Sequence, residues 1–144
     1  MPKSTATCNS ILALIFNATA WADIAENDTS SPIANLYLSL HTASPGVGNS
    51  QLTNETAYTN YARVAVARTT GGWDAPSAGA TVNAALVQFA QCGASGATIT
   101  HVAIGTASSG AGTVLYQGAL NDPLAVANLI QPQFSDSALT VTES

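Results

Sequence analysis

Apolar and polar residues alternate along several short stretches of this chain. In the first of them, Leu36, Leu38 and Leu40 share one face, and residues 61–68 and 98–120 show the same two-residue period. Such alternation is typical of β-strands with one buried face. In the last stretch, two β-branched runs flank a loop of Gly, Ser and Ala, which predicts a β-hairpin or a turn between two sheets.

Turn-forming residues separate these stretches and further candidate strands. We predict additional strands at residues 80–91, 124–126 and 138–142, and a sharp turn at residues 121–123. Seven or eight short strands at this spacing are typical of an antiparallel sandwich. The sequence therefore predicts a mainly β fold, an antiparallel and jelly-roll-like β-sandwich with one N-terminal helix.

The N-terminal segment follows a helical period instead. Cys8, Ile11, Leu12 and Ile15 are spaced i, i+3, i+4 and i+7, so they form one stripe of a helix. We predict that this helix begins near Ser4, which is a good N-cap residue, and continues to about residue 25. Residues 21–24 are also compatible with a short second helix, followed by a polar linker.

The middle of this helix is apolar around most of its circumference. Leu14 and Phe16 lie off the main stripe, so the helix either packs into the core of its own fold or docks on another subunit. At 144 residues the chain fits one domain, in which residues 1–31 form the helical segment and linker and residues 32–144 form the sandwich.

Charged residues are scarce, at 8% of the chain, with a net charge of -5. Low charge favours close, neutral protein contacts, as in a component of an assembly. Lys3, Arg63 and Arg68 are the only Lys or Arg residues, too few to neutralise a phosphate backbone, so we expect no nucleic-acid partner. No apolar run approaches the ~20 residues that span a bilayer, so we expect no membrane partner.

A long polar stretch at residues 43–60 lacks periodicity, which predicts a binding loop or a disordered tip. Tyr58 and Tyr61, at its end, either anchor this loop or form a contact patch. Arg63 and Arg68 follow in the next strand. They predict ion pairs, either to acidic groups on a partner or to an internal Asp or Glu.

No catalytic or cofactor-binding pattern is present. His41 and His101 lie singly in strands, which indicates structural roles, and residues 105–112 lack the Lys of a nucleotide-binding loop. Cys8 and Cys92 form no CxxC pair, and we expect two buried free thiols rather than a single bridge. The sequence predicts neither an enzyme nor a cofactor, and no metal site.

Several blocks of residues, in order along nearly the whole chain, carry a family resemblance. The blocks are residues 17–25, 36–43, 61–68, 104–112 and 115–120. With them the chain resembles small virion structural proteins of tailed bacteriophages, which are often labelled tail fibre and are also similar to head cement or decoration proteins. The resemblance implies a structural role in the virion, without catalytic residues.

Within that family, our leading hypothesis is a cement protein on the capsid surface, assembled in the bacterial cytoplasm. It would self-associate as a dimer or trimer and bridge subunits of the major capsid protein. The alternatives are a tail or tail-fibre component for host attachment, and a carbohydrate-binding sandwich that stacks sugars on Tyr58, Tyr61 or Trp73. The candidate interface residues are Ile11, Leu14, Ile15, Phe16, Tyr58, Tyr61, Arg63 and Arg68.

Overall fold

The computed structural model describes residues 3–21, 24–25, 32–47 and 50–144. Within these residues the chain forms one helix and eight strands, and the strand pairs with a resolved register are antiparallel. The predicted mainly β class with one N-terminal helix is confirmed, and the strand content is consistent with a β-sandwich. The elements are α1 (Thr5–Phe16), β1 (Asn35–His41), β2 (Val64–Ala67), β3 (Ala80–Val82), β4 (Val87–Gln88), β5 (Ala97–Gly105), β6 (Val114–Val126), β7 (Gln133–Phe134) and β8 (Thr140–Thr142).

Helix α1 begins where the sequence predicts but ends early. The Ser4 hydroxyl accepts a hydrogen bond from the Thr7 N–H and so caps the first turn. At the other end, the Asn17 N–H donates to the Ala13 carbonyl, and Ala18 adopts a φ of 51°, which a helix cannot continue. The predicted extension to residue 25 is therefore wrong.

Trp21 and Ala25 pair with each other where the sequence is also compatible with a short second helix. They exchange two backbone hydrogen bonds, of 2.6 and 2.8 Å. Residues 22–23, and residues 26–31 of the polar linker predicted at residues 26–32, lie outside the described residues.

Four strands form the largest sheet, in the order β2-β1-β5-β6. In the antiparallel register, Leu38 lies opposite Ile104, and Ile104 lies opposite Tyr116. Opposite residues share one face of a sheet, so this row is apolar on all three strands. Leu36, Leu38 and Leu40 are all buried, as their alternation predicts.

Strand β6 runs straight through the turn predicted at residues 121–123. Its register with β5 jumps between the Ile99–Leu124 and His101–Ala119 pairs, so residues 120–123 form a wide irregularity opposite Thr100. Pro123 is tolerated there because β6 is the edge strand and a bulge leaves backbone groups unpaired. The predicted turn is wrong, although Pro123 does interrupt the ladder.

The single strand predicted at residues 80–91 is divided into β3 and β4. Between them, the buried Asn83 amide donates to the carbonyls of Ala85 and Ser135 and accepts a bond from the Leu139 N–H. These hydrogen bonds interrupt the extended strand conformation between β3 and β4. Two short sheets result, which pair β3 with β8 and β4 with β7.

The contact pattern divides the chain into two compact units. One comprises Met1–Asn35, Val66–Val87 and Phe134–Ser144, and it includes α1, β3 and β8. The other comprises Leu36–Ala65 and Gln88–Gln133, with β5 and β6 and nearly all of β1. The helix therefore shares a unit with the middle and the end of the chain, whereas the sequence set residues 1–31 apart. The single domain stays a prediction.

Candidate interaction site

The loop between β5 and β6, at residues 106–113, is the strongest candidate for a functional surface. It joins two antiparallel strands, as the sequence predicts, and residues 108–111 are exposed. Only Gly, Ser, Ala and Thr occur in it, so it presents backbone and hydroxyl groups without charge. Two side chains bind this loop directly: Gln51, from the polar stretch at residues 43–60, and Arg63, from just after it.

Arg63 forms a bidentate ion pair with Glu55 beneath this loop. Its Nε lies 2.7 Å from Oε1 and its Nη2 lies 2.7 Å from Oε2, with side-chain exposures of 2% for Arg63 and 11% for Glu55. Two further guanidinium hydrogens reach the loop: Nη1 donates to the Ala107 carbonyl and Nη2 to the Gly110 carbonyl. Arg63 thus has the internal acidic partner that was one of the two predicted alternatives.

Tyr61 extends this pair into a network. Its hydroxyl donates to Oε1 of Glu55 at 2.8 Å and accepts from the Leu40 N–H at 3.1 Å. Burial raises the pKa of the Tyr61 hydroxyl well above its usual value of 10.0, and the Glu55 carboxylate adds to the shift. The network therefore ties residues 55–63 to strand β1 and to the loop.

Tyr58 is buried beside Tyr61. The two rings meet edge to face at 5.3 Å, and the Tyr61 ring stacks on Phe89 at 6.3 Å. The Tyr58 hydroxyl donates to the Ala90 carbonyl, and burial raises its pKa to about 12. Both tyrosines therefore anchor the end of the polar stretch, which was the first predicted alternative, and Tyr58 is too buried for a contact patch.

Gln51 also holds the loop in place, and the sequence did not indicate this role. Its Nε2 donates to the Tyr37 carbonyl, its Oε1 accepts from the Ala107 N–H, and its own N–H donates to the Gly112 carbonyl. A Cβ at Gly105 would collide with the Gln51 amide, which explains the glycine there. A glycine in a strand can indicate that another group packs closely against the backbone, but nothing in the sequence indicated that this group is Gln51.

Arg68 caps the end of helix α1 rather than pairing with a carboxylate as predicted. Its Nε and Nη2 donate to the carbonyls of Ile15 and Leu14, each at 2.7 Å, and its Nη1 donates to the Ile33 carbonyl. The last carbonyls of a helix lack partners within it and carry partial negative charge, so a guanidinium satisfies both needs. Desolvation lowers the pKa of Arg68.

The predicted docking face of the helix is partly internal. Phe16 is fully buried and packs edge to face on Trp73, with ring centroids 4.6 Å apart, so it is not available to another subunit. Ile11, Leu14 and Ile15 are half-buried, and their docking on another subunit stays a prediction. Burial of Trp73 and Tyr58 also removes two of the three aromatic residues proposed as a sugar-stacking platform.

His41 is a structural residue with both ring nitrogens bonded. It is fully buried; its Nδ1 donates to the Thr53 carbonyl at 3.0 Å and its Nε2 lies 2.8 Å from the Ser39 hydroxyl. His41 lies opposite His101 in the sheet. In the described residues no three His, Cys, Asp or Glu side chains are grouped as metal ligands. Cys8 and Cys92 are buried and free, as predicted.

We expect acid to destabilise the fold through His41. Burial lowers its pKa below 6.5, against the opposing effects of the Thr53 carbonyl and Glu55. Below pH ~6.5 the unfolded chain then binds more protons at this residue than the folded chain does. The contribution of His41 to the free energy of unfolding is therefore complete above pH ~6.5 and decreases at lower pH, by at most ~1.4 kcal/mol per pH unit. Urea unfolding of the purified chain between pH ~8 and ~5 would measure this.

His41→Gln is the variant that tests the assignment, because glutamine keeps a donor and an acceptor but does not titrate. It should flatten the pH dependence above pH ~5. An unchanged slope in His41→Gln would contradict the prediction.

The fold and the site define a small, mainly β protein in which the buried ion pair of Arg63 and Glu55 supports an uncharged, exposed loop. A family model described as "Podophage GP4 fiber I protein gp80" matches residues 2–142. The chain belongs to this family, which confirms the resemblance to small phage virion structural proteins. No curated protein matches the chain. None of the helices in the described residues is both long and apolar enough to cross a membrane.

Proposed function

We propose that this protein is a component of a tail fibre of a podophage and that the loop at residues 106–113 takes part in its contacts. The observation that carries the proposal is the family match over residues 2–142, whose description names a fibre protein. The role is structural, and it requires neither a catalytic residue nor a cofactor.

The geometry of the loop supports a contact role. Arg63 and Gln51 bind its backbone at Ala107, Gly110 and Gly112, so little conformational freedom is left to lose when a partner binds. Its exposed residues are small and uncharged, which suits a neutral partner surface. Loops held by a rigid scaffold are common positions for binding residues.

A capsid cement protein is the second candidate, and one observation favours it. No Asp, Glu, Lys or Arg occurs between Asp74 and Asp122, a stretch that includes both β5 and the loop. Charged residues are depleted at the centre of protein interfaces, so this composition fits a subunit that contacts the major capsid protein at many sites on the capsid surface.

The number of copies in each virion separates the two candidates. Quantitative mass spectrometry of purified particles, with the major capsid protein as the internal standard, would measure it. We expect a few dozen copies or fewer for a tail fibre. Hundreds of copies in a simple ratio to the capsid protein would overturn the fibre proposal and favour cement.

Variants of the loop would test its role in the assembled particle. Ser109→Glu places a charge at the exposed tip, and we expect it to reduce attachment to cells or incorporation into virions without unfolding the chain. Ser144→Glu adds the same charge at an exposed position in the other unit and should have no effect. Equal behaviour of both variants would remove the loop from the proposal.

A further inference from the structure

Strand β6 is an exposed edge of the four-stranded sheet. It is thirteen residues long, and β5 is its only neighbouring strand within the described residues. The side chains along it are exposed or half-buried until Val126. An edge strand presents a row of unpaired N–H and C=O groups, which is a template for pairing with another chain.

The two halves of this edge strand differ in how well they are protected against pairing with another strand. The second half carries Asp122, Pro123 and the irregular register, which are features that keep natural edges from pairing. Residues 116–120 have none of them: the segment contains no charge and no proline, and it is in continuous register with β5 up to Ala119. Within the described residues, Ser50 bridges Thr113 just before β6 and the Ser44 hydroxyl donates to the Gln117 side chain, but no strand pairs with the outer edge of residues 116–120. This segment is therefore open to an additional strand.

Within the part of the chain that the structure describes, no contact explains the glycine at position 118, in the middle of this open segment. Its φ is not in the left-handed region, and a Cβ placed on it would meet no atom within 4 Å. Glycine weakens a strand, and where it occurs it often marks the close approach of another backbone. Because Gly118 has no side chain, the apolar face of the sheet has unfilled space at this position.

Tyr116 and Leu120 flank Gly118 on the same face and are only half-buried. This is the face on which Leu38 and Ile104 are buried, because Tyr116 lies opposite Ile104 in the register. The apolar row thus continues from the core to the edge and is incompletely covered there.

We propose that β6 pairs antiparallel with β6 of a second copy of this chain, about a twofold axis at Gly118. Identical strands meet without repulsion there because the segment is uncharged. The register places Tyr116 opposite Leu120 of the second copy, an aromatic and aliphatic cross-strand pair. The two four-stranded sheets become one sheet of eight strands. The inference concerns the isolated chain, so it stands apart from the location in the virion.

Gly118→Lys is the variant that tests this pairing. The open space at Gly118 accommodates a side chain in the monomer, whereas the twofold axis sets the two new lysines directly opposite each other. We expect wild-type protein to dimerise in sedimentation velocity at micromolar concentrations, and the variant to raise the dissociation constant at least ~10-fold. Within residues 116–120, the amides that point away from β5 should be protected from hydrogen exchange only in the wild type.

Ala65→Lys is the matched control, because Ala65 is an exposed residue in β2, the opposite edge of the same sheet. It adds the same charge and should leave the dimer intact. Thermal unfolding of both variants checks that they are folded. A monomeric wild type up to ~1 mM, or a dimer broken by Ala65→Lys and not by Gly118→Lys, would overturn the proposal.

Discussion

Trp73→Ala will lower the free energy of unfolding by ~3–5 kcal/mol, the range for removing a large aromatic side chain from a core. Trp73 is fully buried in the unit that contains α1, and its ring packs edge to face on Phe16 at 4.6 Å. The Asn17 amide also donates to its carbonyl at 3.0 Å. Removing the indole leaves a cavity between the end of the helix and the 66–87 segment, and it also removes the aromatic pair.

Denaturant unfolding of the purified chain, followed by circular dichroism, would measure this loss. Leu86→Ala is the control in the same unit, because Leu86 is 53% exposed and should change the free energy of unfolding by less than ~0.5 kcal/mol. The indole N–H has no hydrogen-bond partner among the described residues, so Trp73→Phe should cost much less than Trp73→Ala. Equal losses in the alanine and phenylalanine variants would show that packing is not the cause.

Arg63→Met is expected to cost ~3–5 kcal/mol, because it leaves the Glu55 carboxylate buried without its cation. The side chain of Arg63 is 2% exposed and that of Glu55 is 11% exposed, so both charges are largely shielded from water. The carbonyls of Ala107 and Gly110 lose their donors at the same time. The loop should therefore become mobile, and limited proteolysis at residues 106–112 should become faster.

A double-mutant cycle separates the ion pair from the packing of the side chain. The combined variant Arg63→Met with Glu55→Gln should lose less than the sum of the two single losses, because no unpaired charge remains. Arg63→Lys should fall between wild type and Arg63→Met, since a lysine cannot reproduce the bidentate geometry. The pair of the exposed Lys3 with the half-buried Glu143 provides the control, and Lys3→Met should have little measurable effect. A strictly additive cycle would contradict a coupled ion pair.

The elements that depend on local sequence were predictable. Ser4 begins α1 because its hydroxyl lies within reach of an N–H only three residues away. Strand β1 was clear because Leu36, Leu38 and Leu40 must share a face in any extended chain. The end of α1 was missed because the arginine that satisfies its last carbonyls comes from the distant position 68.

Two strand predictions failed for reasons of sheet context. Pro123 indicates a turn in isolation, but an edge strand tolerates it within a bulge, and the sequence does not reveal which strand lies at the edge. Asn83 resembles any polar residue in a strand, yet its amide binds backbone groups about fifty residues away and divides the strand. Both outcomes depend on neighbours that only folding brings together.

The candidate site shows the same division. The sequence identified the 43–60 stretch, the tyrosines at its end, Arg63 and the glycine-rich loop, because length, composition and scarce charge are visible in a linear chain. The tertiary structure decided the roles. It placed Glu55 rather than a partner's acid beside Arg63, Gln51 beneath Gly105, and Phe16 inside the core.

The sequence by itself determined the mainly β class, the start of the helix and the uncharged character of the loop, because period, capping and composition act over a few residues. Only the tertiary structure decided which groups became partners, since a buried charge or carbonyl is satisfied by whatever donor the fold brings within ~3 Å. That is why Arg63 and Arg68, so similar in the sequence, came to support a displayed loop and a helix end respectively.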